Sequence, residues 1–406
     1  MTKQSAPSSL AVATELIHHA YEPPPGFRSV VPGIFKASTV VFENTAALRA
    51  RQWKDKSGYT YGLHGTPTTF TLEERLATLE GGSHTLLAPS GLAAIAMVDM
   101  AFLQAGDEVL IPDNAYGPNK DLARGELARW GIKHRFYDPQ RADLLVELIG
   151  PQTRLLWLEA AGSVTMEFPD LVGLLRVARQ HPRLVVALDN TWGAGLAFGP
   201  FAFDGAGDEP AGVDISVHAL TKYPSGGADV LMGSVTTRSH ALHLQLKMTH
   251  MRLGLGVGAN DVEAVLRGLP TLPLRYAAQD AAARQVAAWW LGRSEVTQVL
   301  HPALPESPGH AHWAALCQSA AGLVSVVFDE RYSDDRVDAF IDALRLFKIG
   351  YSWGGPVSLA VPYQLSNMRS LGKAPDGTLV RLAIGLEDPR DLIADLEQAL
   401  KAMKPL

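Results

Sequence analysis

The sequence contains almost no cysteine and no long apolar run. Cys317 is the single thiol among 406 residues. One thiol cannot form a disulfide within a chain, so we expect a reducing compartment such as the cytoplasm. No uncharged apolar stretch reaches membrane-spanning length, and the segment MTKQSAPSSLAVATELIHHAYEPPPGFRS has no apolar signal core. These absences predict a soluble cytoplasmic protein that does not enter a membrane.

An excess of positive charge is also absent. The formal net charge is -6, whereas a nucleic-acid-binding protein needs a basic patch, so we expect no nucleic-acid partner. Apolar residues make up 47% and charged residues 19% of the chain, as is ordinary for a soluble enzyme. The length of 406 residues is enough for two or more domains, each with its own core.

Three segments of the chain differ in pattern. Residues 1–62 are rich in turn formers and predict an arm, with a strand and a short helix in STVVFENTAALRARQWK, that packs on another subunit. Residues 63–269 alternate short apolar runs with helical patterns, which indicates a mostly parallel sheet covered by helices on both faces. Residues 270–406 predict a smaller α+β domain. The expected fold class is therefore α/β.

Two features at the ends of predicted strands could bind an anionic cofactor. Ser90, Gly91 and Leu92 follow the strand in HTLLAP and begin an apolar helix. Free backbone N–H groups at such a start can bind phosphate, although Ser90 could equally be a plain helix cap. Asp189 ends the apolar run LVVALD. Its carboxylate could hold a protonated ring nitrogen of a cofactor, or cap the following turn.

Two cationic residues lie in apolar surroundings. Lys222, in VDISVHALTKYPSGGADVLMG, follows a strand and precedes a glycine pair. A lysine near a phosphate site and a strand-end carboxylate could form a Schiff base with pyridoxal phosphate, although a lone lysine is more often a surface group. Arg381, in LVRLAIG, needs an anionic partner. That partner could be a substrate carboxylate. Alternatively, Arg381 could form an internal ion pair or lie at an edge position of the sheet.

Other kinds of site are not supported by the sequence. The segment GLGVGA lacks the glycine spacing of a dinucleotide site. His310 and His312 lie two residues apart with no companion ligands, so we expect no metal ion. Neither the H-E-x-x-H pattern nor the G-x-S-x-G pattern occurs.

Motifs spread over nearly the whole chain resemble a single enzyme family. They are ASTVVFE, YGLHGTPTTFTL, LEGG, AYGPNKD, WLEAAGSVTME, DNTWGAG, TKYPSGGAD, HPALPESPGH, YSWGG and LVRLAIGLEDPRDLIADL. In these segments the chain resembles the pyridoxal-phosphate enzymes of cysteine and methionine metabolism, which have fold type I. The segments SVTMEF and YSWGGPVSL are similar to the carbon–sulfur β-lyase branch of that family.

The resemblance implies a role for each candidate residue. Lys222 would attach the cofactor and, once released, remove the substrate α-proton. Asp189 would bind the pyridine nitrogen of the cofactor, and Tyr116 would stack on its ring. The phosphate would be bound by Gly91, Leu92 and Thr221, with Tyr61 reaching it from a neighbouring subunit, and the substrate would be bound by Arg381, Ser352 and Trp353.

The resemblance also implies an activity. It predicts a pyridoxal 5'-phosphate-dependent lyase that cleaves cystathionine to homocysteine, pyruvate and ammonia in methionine biosynthesis, as a homotetramer built from two active-site dimers. Two kinds of alternative stay open. One is a cysteine desulfhydrase, γ-lyase or γ-synthase of the same family. The other is a regulatory relative that has lost turnover.

Three positions depart from the pattern of the family. Leu63 stands where an arginine that contacts phosphate is usual, and it is followed by His64. Ala219 replaces a serine three residues before Lys222, and Gly227 replaces a histidine. We therefore expect the phosphate to be bound somewhat differently from the family pattern.

Overall fold

The computed structural model describes residues 10–18, 25–26, 29–203, 212–371 and 376–403. Their strands form a seven-stranded and a five-stranded sheet. The strands are β1 His84–Ala88, β2 Glu108–Pro112, β3 Lys133–Tyr137, β4 Thr153–Glu159, β5 Val185–Asp189, β6 Ile215–Ala219, β7 Gly233–Thr237, β8 Val296–Leu300, β9 Leu323–Phe328, β10 Lys348–Ile349, β11 Leu359–Tyr363 and β12 Leu379–Ala383. The α-helices are α1 Val12–Ile17, α2 Thr45–Arg49, α3 Pro67–Glu80, α4 Gly91–Phe102, α5 Gly117–Leu122, α6 Ala142–Leu148, α7 Leu171–Ala178, α8 His240–Leu253, α9 Ala259–Gly268, α10 Leu272–Trp290, α11 His310–Leu316, α12 Asp334–Asp342 and α13 Pro389–Ala399.

The seven-stranded sheet has the order β1-β7-β6-β5-β4-β2-β3. Its pairs are parallel except those of β7, which runs antiparallel to both β1 and β6. This arrangement confirms the predicted mostly parallel sheet. Because β4, β5 and β6 run in the same direction, their carboxyl ends meet at one edge, where ligands bind in open α/β sheets.

The alternation along β4 shows why its sequence reads as a continuous apolar run. Leu155 and Trp157 pack into the cluster on the face of the sheet that α4 covers, while Leu156 and Leu158 pack into the cluster on the opposite face. A strand buried on both faces has no position for a polar residue until it reaches its end. Glu159, the last residue of β4, therefore points to the same face as Trp157.

The start and end of α3 show how local sequence sets the helix bounds. The Oγ1 atom of Thr66 accepts a hydrogen bond from the N–H of Thr69, and the Oγ1 atom of Thr69 accepts one from the N–H of Thr66. Pro67 occupies the first turn, where its missing N–H is not needed. Gly81 ends the helix with a φ of 71°, a conformation that favours glycine.

The five-stranded sheet has the order β10-β11-β12-β9-β8 and is antiparallel except for the short β10–β11 pair. Val380 and Leu382 of β12 face a core that contains Trp290 and Phe340. Leu379 and Ala383 face the opposite way and join the core cluster of the large sheet. Arg381 lies on this second face, so strand alternation directs its side chain towards the large sheet.

The described part of the N-terminal segment differs from its prediction, first because the unpredicted helix α1 packs Leu16 into the core of its own chain and not onto another subunit. The segment around Thr39 forms only an isolated bridge to Tyr61 and not the predicted strand, because no neighbouring strand of the same chain extends the pairing. The short helix is present as α2. Val30 and Val41 are 96% and 88% exposed. The division at 62/63 and 269/270 stays a prediction. No helix in the described ranges is long and apolar enough to cross a membrane.

Candidate active site

A cavity of about 570 Å³ opens at the carboxyl edge of the large sheet, where β12 of the smaller sheet faces it. It contains nine of the ten residues that the sequence singles out. They are Gly91, Leu92, Tyr116, Asp189, Thr221, Lys222, Ser352, Trp353 and Arg381. The chain segments that carry them are far apart in sequence, so the fold brings together an amine, a carboxyl group, an aromatic ring and a guanidinium.

Lys222 is held at the wall of this cavity and is not a surface lysine. Its Nζ atom donates a hydrogen bond to the Oγ atom of Ser352 at 2.7 Å and lies 5.5 Å from the ring centre of Trp353. Burial lowers the pKa of Lys222 to about 8, with a further lowering from Arg381 that Asp189 opposes. The amine is therefore closer to its neutral, nucleophilic form at physiological pH than an ordinary lysine.

Asp189 caps a turn and also lines the cavity, so its expected contact with a cofactor ring nitrogen stays a prediction. One oxygen, Oδ1, accepts the backbone N–H of Thr191 at 3.0 Å and so caps the turn that follows β5. The side chain also lines the cavity. Burial raises the pKa of Asp189, while Thr191 and the nearby Lys222 act to lower it. A cationic group placed against this carboxyl group would stabilise its ionised form.

The N-terminus of α4 forms one end of the cavity. The Oγ atom of Ser90 accepts the N–H of Ala93 at 3.0 Å, so Ser90 is a helix cap and also lines the cavity. A Cβ atom at Gly91 would come within 2.7 Å of the Cβ atom of Ala219 on β6. Glycine therefore allows the helix start to approach the sheet closely. Thr221 lies beside this end of the cavity, which suits a phosphate group.

Arg381 is a buried cation with unused hydrogen-bonding capacity. Its side chain is 5% exposed, and its Nη1 atom donates to the carbonyl oxygen of Ser163 at 3.0 Å. Its Nε atom is buried without a partner. Among the described residues it forms no ion pair, although its guanidinium lies 5.3 Å from the ring of Tyr363. Since buried charges are normally paired, this guanidinium fits an anionic ligand in the cavity better than an internal ion pair.

Tyr116 begins the segment that leads into α5. Its backbone N–H donates to Oε2 of Glu159 at 2.8 Å, and its side chain is 39% exposed. Burial, Asp189 and Glu159 together raise the pKa of Tyr116. The phenol therefore stays neutral at physiological pH and presents an aromatic face beside Lys222 and Asp189.

Glu159, Tyr351, Tyr363 and Met368 are among the residues of the cavity wall that the sequence analysis missed. Glu159 ends β4 as Asp189 ends β5, and the two are register neighbours, so the same strand-end signal could have found it. Tyr351 directly precedes Ser352. Tyr363 and Met368 carry no local signal, because they reach the cavity only through the packing of the second sheet.

Tyr61 lies outside this cavity. It is 48% exposed and lines a second cavity of about 770 Å³ formed by residues 35–38, 61–66 and the start of α9. Its neighbour Leu63 lines the same second cavity. Burial, Lys247 and Arg51 lower the pKa of His64, which favours its neutral form. Contact between Tyr61 and a phosphate in another subunit stays a prediction.

The chain is similar to known proteins over most of its length. Residues 13–401 match the family described as Cys/Met metabolism PLP-dependent enzyme. The chain is 42% identical over 371 residues to cystathionine β-lyase of Bordetella avium, with 90% of each chain covered. The crystal structure of metB from Corynebacterium glutamicum is similar with a TM-score of 0.87 and 27% identity, covering 98% of this chain and 99% of that one. A methionine γ-lyase from Micromonospora echinospora has a TM-score of 0.83 and 30% identity, covering 96% of this chain and 99% of that one. These likenesses confirm the predicted α/β fold.

Proposed function

Because this chain belongs to the family of Cys/Met metabolism PLP-dependent enzymes, we propose that it is a carbon–sulfur β-lyase that cleaves cystathionine. Its cofactor is pyridoxal 5'-phosphate. The observation that carries the proposal is one cavity that combines the buried amine of Lys222, the strand-end carboxyl group of Asp189 and the unpaired guanidinium of Arg381. These groups match the three parts of the reaction: cofactor attachment, charge stabilisation and substrate binding.

The residues of the cavity fit pyridoxal phosphate. The N-terminus of α4 at Gly91 and Leu92, together with Thr221, would bind the phosphate group. Asp189 would bind the pyridine nitrogen, and Tyr116 would cover the ring. Lys222 would be the attachment point. The fit rests on the buried amine with its lowered pKa, and on the glycine that lets the helix start approach the sheet.

The chain positions the substrate and moves its protons. When bound, pyridoxal phosphate supplies an electron sink that stabilises negative charge on the α-carbon of an amino acid. Arg381 would hold the substrate α-carboxylate with its fork-like donors. Ser352, hydrogen-bonded to Lys222, would keep the amine close to the α-carbon. Asp189 would stabilise positive charge on the ring nitrogen by opposite-charge pairing.

The Lys222 amine would remove the α-proton of the substrate. Its pKa of about 8 leaves a fraction of the amine neutral near neutral pH, as a general base requires. The bond between the β-carbon and sulfur then breaks, and the sulfur leaves as a thiolate that takes up a proton to give homocysteine. The remaining three-carbon fragment takes up water and yields pyruvate and ammonia.

Elimination at the β-carbon is favoured over the alternatives of the same family. The relative that acts at this position is 42% identical, whereas the γ-lyase of known structure is 30% identical. A regulatory relative without turnover is disfavoured because Lys222, Asp189 and Tyr116 all line the cavity. A desulfhydrase activity on cysteine would use the same residues, since cysteine carries the same α-carboxylate and β-sulfur.

Product analysis tests the proposal. The purified enzyme is incubated with cystathionine and, in parallel, with cysteine, and the oxo acids are identified by mass spectrometry. We expect pyruvate and homocysteine from cystathionine. Formation of 2-oxobutyrate and cysteine would show γ-elimination and contradict the proposal, and turnover of cysteine alone would identify a desulfhydrase.

We further propose an assembly and a location. The arm exposes Val30, Val41 and Tyr61, and apolar residues this exposed favour a partner subunit. The proposed assembly is a homotetramer of two dimers, in which Tyr61 reaches the phosphate site of the neighbouring subunit. The single thiol of Cys317 supports a reducing compartment, the cytoplasm. Homocysteine as product supports a role in methionine biosynthesis.

A further inference from the structure

Glu159 is a buried carboxyl group in the wall of the cavity to which the steps proposed above assign no role. It ends β4 and is paired in register with Asp189 of β5. Its side chain is 7% exposed and lines the cavity. Burial and the neighbouring Asp189 raise its pKa well above the usual range, while the backbone N–H groups of Tyr116 and Ser163 act to lower it. Because burying a carboxyl group is energetically unfavourable, the position of Glu159 in the cavity wall needs an explanation.

The hydrogen bond of Glu159 leads to the tyrosine that would cover the cofactor ring. Its Oε2 atom accepts the backbone N–H of Tyr116 at 2.8 Å. Tyr116 is the residue from which the chain enters α5, and its side chain lines the same cavity as Glu159. The Glu159 side chain therefore supports the backbone of the ring-covering tyrosine.

We propose that Glu159 is a positioning residue: it fixes the Tyr116 backbone, so that the tyrosine ring keeps its place over the cofactor. This inference rests on the proposed cofactor site. Glu159 acts as a hydrogen-bond acceptor and need not carry charge. Two neighbouring carboxylates in one buried site repel each other, so a neutral Glu159 leaves the negative charge to Asp189.

Replacement by alanine and by glutamine separates the acceptor from the charge. Glu159→Ala removes the acceptor, and we expect kcat/KM to fall by at least about 10-fold, since small misplacements of catalytic groups cost up to about 100-fold. KM should rise for every amino-acid substrate, because a displaced Tyr116 changes the wall of the cavity that all of them enter. Glu159→Gln keeps an oxygen of similar reach, so it should retain activity within about fivefold of the wild type.

A spectroscopic readout makes the test independent of turnover. The visible circular dichroism of the bound cofactor reports how asymmetrically its ring is held, and it should weaken in Glu159→Ala and persist in Glu159→Gln. Asp99→Ala is the matched control. Asp99 of α4 is a buried carboxyl group that accepts a hydrogen bond from Trp157, which lies on β4 together with Glu159. Asp99 does not line the cavity. Its loss should lower stability and leave the dichroism unchanged.

Two results would overturn the proposal. If Glu159→Gln is as impaired as Glu159→Ala, the site needs the charge and not the acceptor. If the dichroism and KM of Glu159→Ala match those of Asp99→Ala, Glu159 is only a structural group. Should the alanine variant fail to fold, Glu159→Asp shortens the side chain by one methylene, and the same loss of dichroism is expected from it. Because the dichroism does not depend on the product formed, a failure here is distinguishable from a failure of the β-lyase assignment.

Discussion

A buried ion pair bonded to the backbone of Met368 offers the most quantitative test of how the two sheets are held together. Lys120 of α5 donates from Nζ to the Oδ1 atom of Asp113 at 2.9 Å, and to the carbonyl oxygen of Met368 at 2.7 Å. Asp113 also accepts the backbone N–H groups of Ser370 and Leu371 at 2.9 Å. The pair therefore fastens the segment 365–371, which contains Met368 of the cavity wall, to the large sheet.

The magnitude follows from burial. The side chains of Lys120 and Asp113 are 3% and 2% exposed. Burial acts to raise the pKa of Asp113, but the hydrogen bonds from Lys120, Leu371 and Ser370 outweigh it, so the net pKa is lowered and the group is ionised at neutral pH. Lys120→Met would leave this carboxylate buried without its cation, which costs about 3–5 kcal/mol. The substitution also removes the hydrogen bond to the carbonyl oxygen of Met368 in the cavity wall, so we expect KM to rise.

Urea unfolding of the holoenzyme measures the loss. Arg141→Met is the matched control, because Arg141 forms an ion pair with Asp143 of similar length in which both side chains are more than half exposed. Exposed pairs contribute about 0–1 kcal/mol. The double variant Asp113→Asn/Lys120→Met removes the unpaired charge and should recover part of the stability lost in Lys120→Met.

One result would refute this reasoning. If Lys120→Met lowers the free energy of unfolding no more than Arg141→Met does, then the pair is solvated in solution. The segment 365–371 would then be held by other contacts.

Four further predictions follow from the site. Asp189→Asn removes the charge that pairs with the ring nitrogen, and turnover should fall at least ~100-fold; near-normal steady-state turnover would leave Asp189 as a turn cap only. Arg381→Lys keeps charge but loses the two-pronged geometry, so kcat/KM should fall similarly for all amino-acid substrates; normal substrate binding in the folded variant would point to a structural role. Burial raises the pKa of Asp99 to about 7, so between about pH 4 and pH 7 this carboxyl group is more protonated in the native state than in the unfolded state. Its contribution to the free energy of unfolding should therefore fall by up to about 4 kcal/mol as pH rises through this window, and the stability difference between the wild type and Asp99→Asn should change by that amount; parallel stability–pH curves for both proteins would show that Asp99 does not titrate there. Finally, Tyr61→Phe and Lys222→Ala chains, each nearly inactive, should regain part of the wild-type activity when refolded together, whereas inactive mixed oligomers, verified by mass analysis, would show that Tyr61 serves its own subunit.

Short-range patterns were enough to predict most of the first sheet. The middles of β4 and β5 are apolar without alternation because both faces are buried, and the acidic residues at their carboxyl ends, Glu159 and Asp189, mark the ligand edge. Strand β3 escaped prediction, because Lys133–Tyr137 is an edge strand with polar residues and only Tyr137 is fully buried. The helical patterns on either side of this segment were more prominent in the sequence.

How the two sheets pack against each other could not be predicted from local sequence patterns. The alternation of side chains along β12 directs Arg381 towards the large sheet. Which element faces Arg381 there depends on contacts between residues more than one hundred positions apart. The hydrogen bond between Lys222 and Ser352 spans 130 positions. That these residues belong to one site was predicted only through the family resemblance, and the hydrogen bond itself was not predicted. The role of Tyr61 is not decided by one chain, since its expected contact lies in another subunit.

Identifying the residue to which the cofactor is attached is the most direct test of the central claim, that the cavity is the active site. Reduction of the yellow holoenzyme with borohydride makes the attachment permanent, and digestion followed by mass spectrometry locates the pyridoxyl group. The account predicts a single labelled peptide with the label on Lys222, the buried amine with a pKa of about 8. A label on any other lysine, with Lys222 unmodified, would contradict the assignment of the cavity as the active site.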